Sequence, residues 1–283
     1  MTFAIVEAPR EVPGPPGIDA AITAQWLTAF LRDELVTRRA IPRAVVGLSG
    51  GVDSAVTAYL CARALGPSNV FAIRMPYKTS SSESLSDARL VVDALGIAER
   101  TIDISPAVDG YLQFEPDADA RRRGNVMARM RMLVLFDQSA KLGALPIGTG
   151  NKTERLLGYF TWHADDTPPV NPLGDLFKSQ VWELARYLGV PHPLIDKAPS
   201  ADLVAGQTDE ADLGISYARA DAILSQLLLG YSDVQLIERG FSADEVSLVR
   251  RRVDGTHWKR HLPTTAMLTN TAINEFYLRP VDF

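Results

Sequence analysis

The stretch Gly47-Leu48-Ser49-Gly50-Gly51-Val52-Asp53-Ser54 joins a short apolar run to a segment with helical periodicity. The run before it, Ala44–Leu48, contains two adjacent valines, which is typical of a buried strand. The segment after it, Ser54–Leu65, repeats its apolar residues at helical spacing. A strand, a glycine turn and a helix in this order predict the start of an α/β unit.

Outward from this turn, the same alternation continues. Further strands are predicted at Val70–Ile73, Arg100–Ile104 and Ala144–Ile147, with helices at Ala20–Arg39, Ser84–Leu95 and Asp119–Leu142. Beyond Lys152 the patterns indicate helices only, at Lys178–Leu188, Ser216–Leu229, Val234–Arg239 and Ala243–Val253. Strands about 30 residues apart need crossover connections. We therefore expect an α/β fold, doubly wound, with a mostly parallel sheet, helices on both faces and a helical C-terminal portion.

Composition limits the classes of protein that fit. The 283 residues are 46% hydrophobic, carry a formal net charge of −5 and include one cysteine, Cys61. These values predict a globular protein with no internal disulfide and argue against a nucleic-acid binder. No apolar run approaches the roughly 20 residues needed to span a bilayer, so we expect no membrane-spanning segment. We expect a cytoplasmic protein with a Pro-rich lead-in over residues 1–19, one domain over residues 20–265, and a tail over residues 266–283.

The glycine turn has the chemistry of a phosphate site. Glycines let the main chain approach an anion, and the following helix offers free N–H groups. The hydroxyls of Ser49 and Ser54 add donors, whereas the Asp53 carboxylate would repel a phosphate unless a divalent cation lay between them. Neither a Walker A loop nor a dinucleotide fingerprint is present. A purely structural turn is the alternative for two adjacent glycines.

The string Ser-Gly-Gly-Val-Asp-Ser resembles the pyrophosphate loop of N-type ATP pyrophosphatases. Later blocks are similar to those of the ammonia-dependent NAD synthetases within that group. They are Arg123–Met132, Gly148–Glu154, Gly158–Thr161, Pro172–Lys178, Lys197–Leu203 and Gly206–Glu210. The resemblance spans about Gly47–Pro263 and keeps the family's order.

The resemblance implies a set of roles for matching positions. ATP would be bound by Gly47, Leu48, Ser49, Gly50, Gly51, Val52, Asp53, Ser54, Thr149, Lys178 and Ser200, with Asp53 and Glu154 holding Mg²⁺. Asp53, Glu154 and Lys178 would form the catalytic set, and Arg129 and Lys259 match positions that contact the acid substrate. Without the resemblance, Glu154 would equally suit the first turn of a helix, and Arg129 an exposed helix face.

The implied reaction joins ammonia to a carboxylic acid. The carboxylate of nicotinic acid adenine dinucleotide would attack ATP, releasing pyrophosphate, and ammonia would then displace AMP to form the amide. Positioning and charge stabilisation would supply the catalysis. The family also implies a homodimer. We expect no glutaminase domain in the chain, so that free ammonia or a separate glutaminase partner would supply the nitrogen.

Three positions depart from the family pattern at the acid-substrate site. Trp162 replaces a lysine, Pro169 an aspartate and Trp258 a histidine. One interpretation is that His163, Asp165 or Asp166 rebuilds the lost contacts in a shifted loop. The alternative is a synthetase with the same chemistry that amidates a different, more aromatic or apolar acid. A third hypothesis is a non-catalytic nucleotide-binding homologue, against which the intact metal-ligand pair argues.

Overall fold

The computed structural model describes residues 12–200, 208–261 and 264–269. Four strands form one sheet: β1 (Ala44–Gly47), β2 (Val70–Arg74), β3 (Ala98–Thr101) and β4 (Leu145–Ile147). The helices up to the last strand are α1 (Ala20–Arg32), α2 (Val52–Leu65), α3 (Ser82–Leu95), α4 (Ser105–Leu112) and α5 (Ala120–Leu142). The later ones are α6 (Lys152–Leu157), α7 (Lys178–Leu188), α8 (His192–Asp196), α9 (Asp209–Leu213), α10 (Tyr217–Leu228), α11 (Asp233–Glu238) and α12 (Ala243–Thr256).

The sheet is parallel throughout, with strand order β3-β2-β1-β4. In its register Ala44 of β1 lies opposite Val70 of β2 on one side and Leu145 of β4 on the other. The chain thus runs outward from β1 through β2 to β3 and then returns to the opposite side of β1. A crevice opens where such an order reverses, at the carboxyl ends of the two strands. Here that point lies between the ends of β1 and β4.

Helices cover both faces of the sheet, as the sequence predicts. Val46 and Ala72 face a large core that also contains α1, α2 and α7. Val45 and Ile73 face the opposite side, where Leu135 of α5 packs against them. All four strand residues are at most 1% exposed. The alternation places α2 and α5 on opposite faces, and each of them reaches the carboxyl end of β1.

The helical C-terminal portion has a core of its own. Tyr217 and Ile223 of α10, Leu236 of α11 and Val249 of α12 are fully buried in it. Leu157 of α6 joins the same cluster. Because α6 directly follows β4, this second core is attached to the edge of the crevice.

Most predicted elements are confirmed within a few residues, but the third strand is displaced. It covers Ala98–Thr101, not Arg100–Ile104. The residues of β3 are mostly exposed, since it is a polar edge strand. The predicted strand ended at the apolar Ile104, which lies beyond β3 and is buried in a different hydrophobic cluster. The pattern also missed α4, which contains a proline in its first turn, where proline is tolerated.

The remaining expectations concern the single cysteine, membrane-spanning helices and the domain boundaries. Cys61 is buried on α2, as predicted, and burial raises the pKa of its thiol to about 12. Among the described residues, no helix is both long and apolar enough to cross a bilayer. In the predicted lead-in, Ile18 packs on the main core and Val12 on the second core. The proposed domain boundaries stay predictions.

Candidate active site

The glycine loop lies at the carboxyl end of β1. Gly50 has a φ of +83°, and a Cβ at this position would stand 2.2 Å from the carbonyl oxygen of Ser84 in α3. Both the backbone conformation and the close approach therefore require glycine here. Gly51 caps α2 without a side chain, so the first-turn N–H groups of that helix remain directed at the crevice.

The two loop serines are held in a local hydrogen-bond network. The hydroxyls of Ser49 and Ser54 lie 3.1 Å apart, and the N–H of Ser49 donates to the Ser54 hydroxyl. Ser54 in turn donates to the carbonyl oxygen of Gly51. This network fixes the curvature of the loop, while Ser49 still lines the open cleft.

The neighbouring strand end supplies the second loop. After β4 the chain passes through Thr149 to Asn151, which begins α6 with a capping box. The side chain of Asn151 accepts from the N–H of Glu154 at 2.9 Å, and the Glu154 carboxylate accepts from the N–H of Asn151 at 3.2 Å. The Asn151 amide also donates to Oδ1 of Asp53 at 3.0 Å. One side chain thus positions both candidate metal ligands.

Lys178 places a positive charge between the two carboxylates. It begins α7 and is 3% exposed; its ammonium forms an ion pair with Asp53 and lies 3.5 Å from Oε1 of Glu154. Burial disfavours its charged form, but the charges of Asp53 and Glu154 outweigh this and raise its pKa. The predicted catalytic set therefore does come together, across the switch point of the sheet.

The electrostatics of this cluster are dominated by crowded carboxylates. Burial, together with the negative charge of Asp53, raises the pKa of Glu154 to about 8. Burial also raises the pKa of Asp209, which accepts hydrogen bonds from the hydroxyls of Tyr159 and Tyr217, each at 3.0 Å. The raised pKa values of Glu154 and Asp209 indicate that this part of the site has too little positive charge for its carboxylates.

That deficit is what a divalent cation would correct. Asp53 and Glu154 present oxygen ligands from adjacent strand ends, and Mg²⁺ commonly takes one or two carboxylates, completing its shell with phosphate and water. Among the described residues, no three acidic, histidine or cysteine side chains form a complete metal cage. The donor set therefore fits a magnesium ion that is bound together with phosphates.

An open cleft of about 1260 Å³ extends from the glycine loop and Thr149 to Trp162 and Trp258. Its lining carries more positive than negative side chains, although the whole protein is acidic. The cations are Arg74, Arg121, Arg129, Arg131, Arg252 and Lys259, against the carboxylates of Asp165 and Asp212. A cleft of this size and charge suits a polyanionic ligand.

Four of the five residues predicted to bind the acid substrate gather at the far end of the cleft. Arg129 donates to the carbonyl oxygen of Trp162 at 3.1 Å, and the rings of Trp162 and Trp258 meet edge to face with centroids 5.2 Å apart. His163, at a φ of +59°, stacks on Trp162. The ammonium of Lys259 donates to the backbone carbonyl of Gly158 at 2.7 Å.

Two predicted site residues lie apart from this group. Pro169 is exposed in the loop before Val170 and is not among the described residues that line the cleft. Ser200 is also exposed, and residues 201–207, which carry parts of two resemblance blocks, lie outside the described residues. Thr149 lines the cleft beside the glycine loop.

Several polar residues that support the site were not predicted. Asn151 could have been found, since Asn followed three residues later by Glu is a capping signal. Asp221, fully buried on α10, had no local signal; it accepts from the Thr153 hydroxyl at 2.5 Å and from the N–H of Ser179 at 2.8 Å. It ties the starts of α6 and α7, and hence Glu154 and Lys178, to the helical portion.

Fold and site together define the class of the protein. The parallel sheet, helices on both faces and glycine loop at the switch point are those of an adenine nucleotide alpha hydrolase-like α/β protein. Within that class the family is specific: the family model described as NAD synthase matches residues 23–263, and the chain belongs to this family. Its members include ligases that form an amide carbon–nitrogen bond.

Known proteins similar to this chain support the same assignment. It is 47% identical over 258 residues to the NH3-dependent NAD+ synthetase of Trichlorobacter lovleyi, covering 91% of this chain and 94% of that one. The corresponding protein of Chlorobaculum parvum is 48% identical over 254 residues, covering 89% and 91%.

Solved structures are similar as well. The NMN synthetase of Francisella tularensis is 33% identical, with a TM-score of 0.79 over 88% of this chain and 99% of that one. The NH3-dependent NAD synthetase of Campylobacter jejuni, in complex with nitrate, is 32% identical, with a TM-score of 0.76 over 88% and 100%.

Proposed function

We propose that this chain is an ammonia-dependent NAD synthetase. It adenylates the carboxylate of nicotinic acid adenine dinucleotide with ATP, releases pyrophosphate, and replaces AMP by ammonia. The observation that carries the proposal is the Asp53–Lys178–Glu154 cluster, built around the buried Lys178, next to a glycine loop whose first residues line a cleft with mostly positive side chains. Charged side chains at this place could bind the triphosphate of ATP and stabilise the charge that develops on it during the reaction.

Each group at the head of the cleft has a role in ATP binding. The backbone of Gly47–Ser54 would cradle the β- and γ-phosphates, and Thr149 and Ser200 would contact the nucleotide. Asp53 and Glu154 would hold Mg²⁺, which when bound would neutralise phosphate charge. Lys178 would offset charge that builds on the departing pyrophosphate. It is already charged and oriented before the substrate arrives, so little reorganisation is needed.

The far end of the cleft would hold the acid. Arg129 and Lys259 lie there with the two tryptophans, and the cationic lining suits the phosphates of a nucleotide acid. Arg129 keeps Trp162 in place through the backbone carbonyl, and the two indoles offer flat apolar faces. Flat faces suit the pyridine ring, and enclosure by them would keep water away from the adenylate.

A second candidate substrate follows from the tryptophans themselves. Trp162 and Trp258 stand where the family pattern has a lysine and a histidine, and both line the cleft. The Francisella tularensis structure is of an NMN synthetase, so a similar fold is associated with a smaller nucleotide product. The alternative is therefore the same chemistry on another acid, with the mononucleotide acid related to NMN as the first to test.

We also propose a homodimer that works in the cytoplasm on free ammonia or on ammonia from a separate glutaminase. Exposed apolar residues on the outer side of α5 support the dimer, since Leu133 is 63% and Phe136 41% exposed. Apolar side chains clustered on one helix face favour burial against another surface. Light scattering of the purified protein tests this part of the proposal.

The deciding experiment measures pyrophosphate release from ATP and Mg²⁺ with ammonium. The acids compared are the dinucleotide acid, the mononucleotide acid and a panel of simple carboxylic acids. NAD+ formation from the dinucleotide acid supports the first proposal, and turnover of another acid alone supports the second. No release with any acid would contradict both and favour a nucleotide-binding homologue without catalysis.

A further inference from the structure

Lys197 forms a half-buried ion pair that joins two distant parts of the chain. Its ammonium donates to Oδ2 of Asp87 at 2.8 Å and to the hydroxyl of Ser84 at 3.2 Å. The Lys197 side chain is 22% exposed and that of Asp87 only 7%. The partners are 110 residues apart in sequence, so the pair closes a long loop. Asp87 would be left buried and unpaired without it.

One end of this connection rests on the glycine loop. Ser84, in the first turn of α3, lies so close to Gly50 that a Cβ there would meet the Ser84 carbonyl oxygen at 2.2 Å. The N–H of Ser84 donates to the hydroxyl of Ser81 at 3.0 Å, which fixes this turn. Any displacement of the start of α3 is therefore transmitted to the loop that we assign to the phosphates.

The other end leads to the opposite wall of the site. Two residues after Lys197, the carbonyl oxygen of Pro199 accepts from the N–H of Asp209 at 2.9 Å. The Asp209 carboxylate accepts from Tyr159, which lines the cleft, and from Tyr217, whose ring lies 5.2 Å from the ammonium of Lys178. The segment from Lys197 to Pro199 thus lies between α3 and the Lys178 cluster.

We propose that Lys197 is a positioning residue for ATP: it sets the distance between the glycine loop and the cleft wall at Tyr159, which Pro199 and Asp209 hold in place through hydrogen bonds. The inference rests on the proposed function, because it assumes that this site binds the triphosphate. Lys197 holds both walls through one charged hydrogen-bonded pair and itself touches no reacting atom. Its loss lets the walls separate, which weakens ATP binding while leaving the Asp53–Lys178–Glu154 cluster complete.

The test is calorimetric titration of the full-length protein with ATP and Mg²⁺, alongside the steady-state kinetics of pyrophosphate release. Lys197→Met is expected to raise both the Kd and the KM for ATP about tenfold, or about 1.4 kcal/mol. The kcat at saturating ATP stays within about threefold, because the chemistry is unchanged. Asp87→Asn gives the same pattern. The double variant with the charges exchanged, Lys197→Asp with Asp87→Lys, recovers at least half of the increase in log Kd for ATP.

Arg219→Met is the matched control. It breaks a comparable pair with Glu245, 2.6 Å apart, in the helical portion away from the cleft, and leaves the KM for ATP unchanged. An unchanged Kd in both Lys197→Met and Asp87→Asn, with only a lower melting temperature, would overturn the inference and leave the proposed function standing. If Lys197→Met does not fold, Asp87→Asn and the exchanged pair decide it. A wild-type protein that does not bind ATP would overturn both.

Discussion

The side-chain amide of Asn151 donates to the carboxylate of Asp53 at 3.0 Å, joining the loops that follow β4 and β1. The same side chain caps α6 and orients Glu154. Asn151 is fully buried, so its hydrogen bonds have no water to replace them. The two candidate metal ligands are therefore arranged by a third residue before any cation binds.

Replacing Asn151 by alanine tests this arrangement. Loss of the cap and of the bond to Asp53 is expected to cost about 1–3 kcal/mol of unfolding free energy. Pyrophosphate release should fall at least about tenfold, since both ligands lose their orientation. Ser232→Ala removes the same type of capping box from α11, far from the cleft. That control should lower stability alone, and an equal loss of activity in both variants would contradict the assigned role.

Asp53→Asn removes one negative charge from the cluster around Lys178 while keeping the size of the side chain. We expect pyrophosphate release to be abolished with the fold intact, because one of two oxygen ligands for the cation loses its charge. Circular dichroism and a coupled pyrophosphate assay, run at several Mg²⁺ concentrations, measure the two effects. Activity near that of the wild type would disprove the metal assignment.

The raised pKa of Glu154 predicts a pH-dependent stability of the ligand-free protein. Its folded-state pKa is about 8, against 4.5 for the free side chain, so the folded state binds more protons than the unfolded state between these values. The contribution of Glu154 to the free energy of unfolding is therefore complete below about pH 4.5 and declines as the pH rises towards 8. Glu154→Gln should flatten that decline. Urea unfolding at pH 5.5, 7 and 8 measures it, and identical slopes in both proteins would contradict the prediction.

Gly50→Ala should destabilise the protein more than the same change at Gly66, a glycine with a similar φ but with open space around it. Gly66 has a φ of +84°, close to the +83° of Gly50, but a Cβ on Gly66 would meet no atom within 4 Å. Gly66→Ala should therefore cost only the strain of an alanine in a glycine-only backbone conformation, about 1–3 kcal/mol. Gly50→Ala adds the contact with Ser84 and should also weaken ATP binding. Equal effects on stability and on the KM for ATP would refute the close-approach argument.

Trp162→Lys restores the residue that the family pattern has at this point of the cleft. If the tryptophan selects another acid, the variant should gain turnover of the dinucleotide acid and lose turnover of the preferred acid, each about tenfold or more. Trp258→His, together with it, should extend the change, because the two rings are in contact. Competition between the dinucleotide and mononucleotide acids in one assay measures the ratio. An unaltered ratio would show that the indoles do not set specificity.

Local patterns in the sequence were sufficient to predict the alternation of strands and helices, the glycine loop and the family. These depend on residue types within a few positions of each other, such as the apolar spacing of α2 or the glycines before it. The edge strand β3 escaped because its own residues are polar and exposed. Its position is determined by hydrogen bonding to β2, which leaves no hydrophobic period to detect.

The site, by contrast, is a product of tertiary structure. Asp53 and Lys178 are 125 residues apart, and Lys197 and Asp87 are 110 apart; both pairs meet only because parallel strands end at one edge and helices pack across it. Family motifs indicated which residues matter, but not that Asn151 joins two ligands or that Asp221 anchors Lys178 from another core. Such contacts depend on how whole elements pack, and no local periodicity in a sequence encodes that packing.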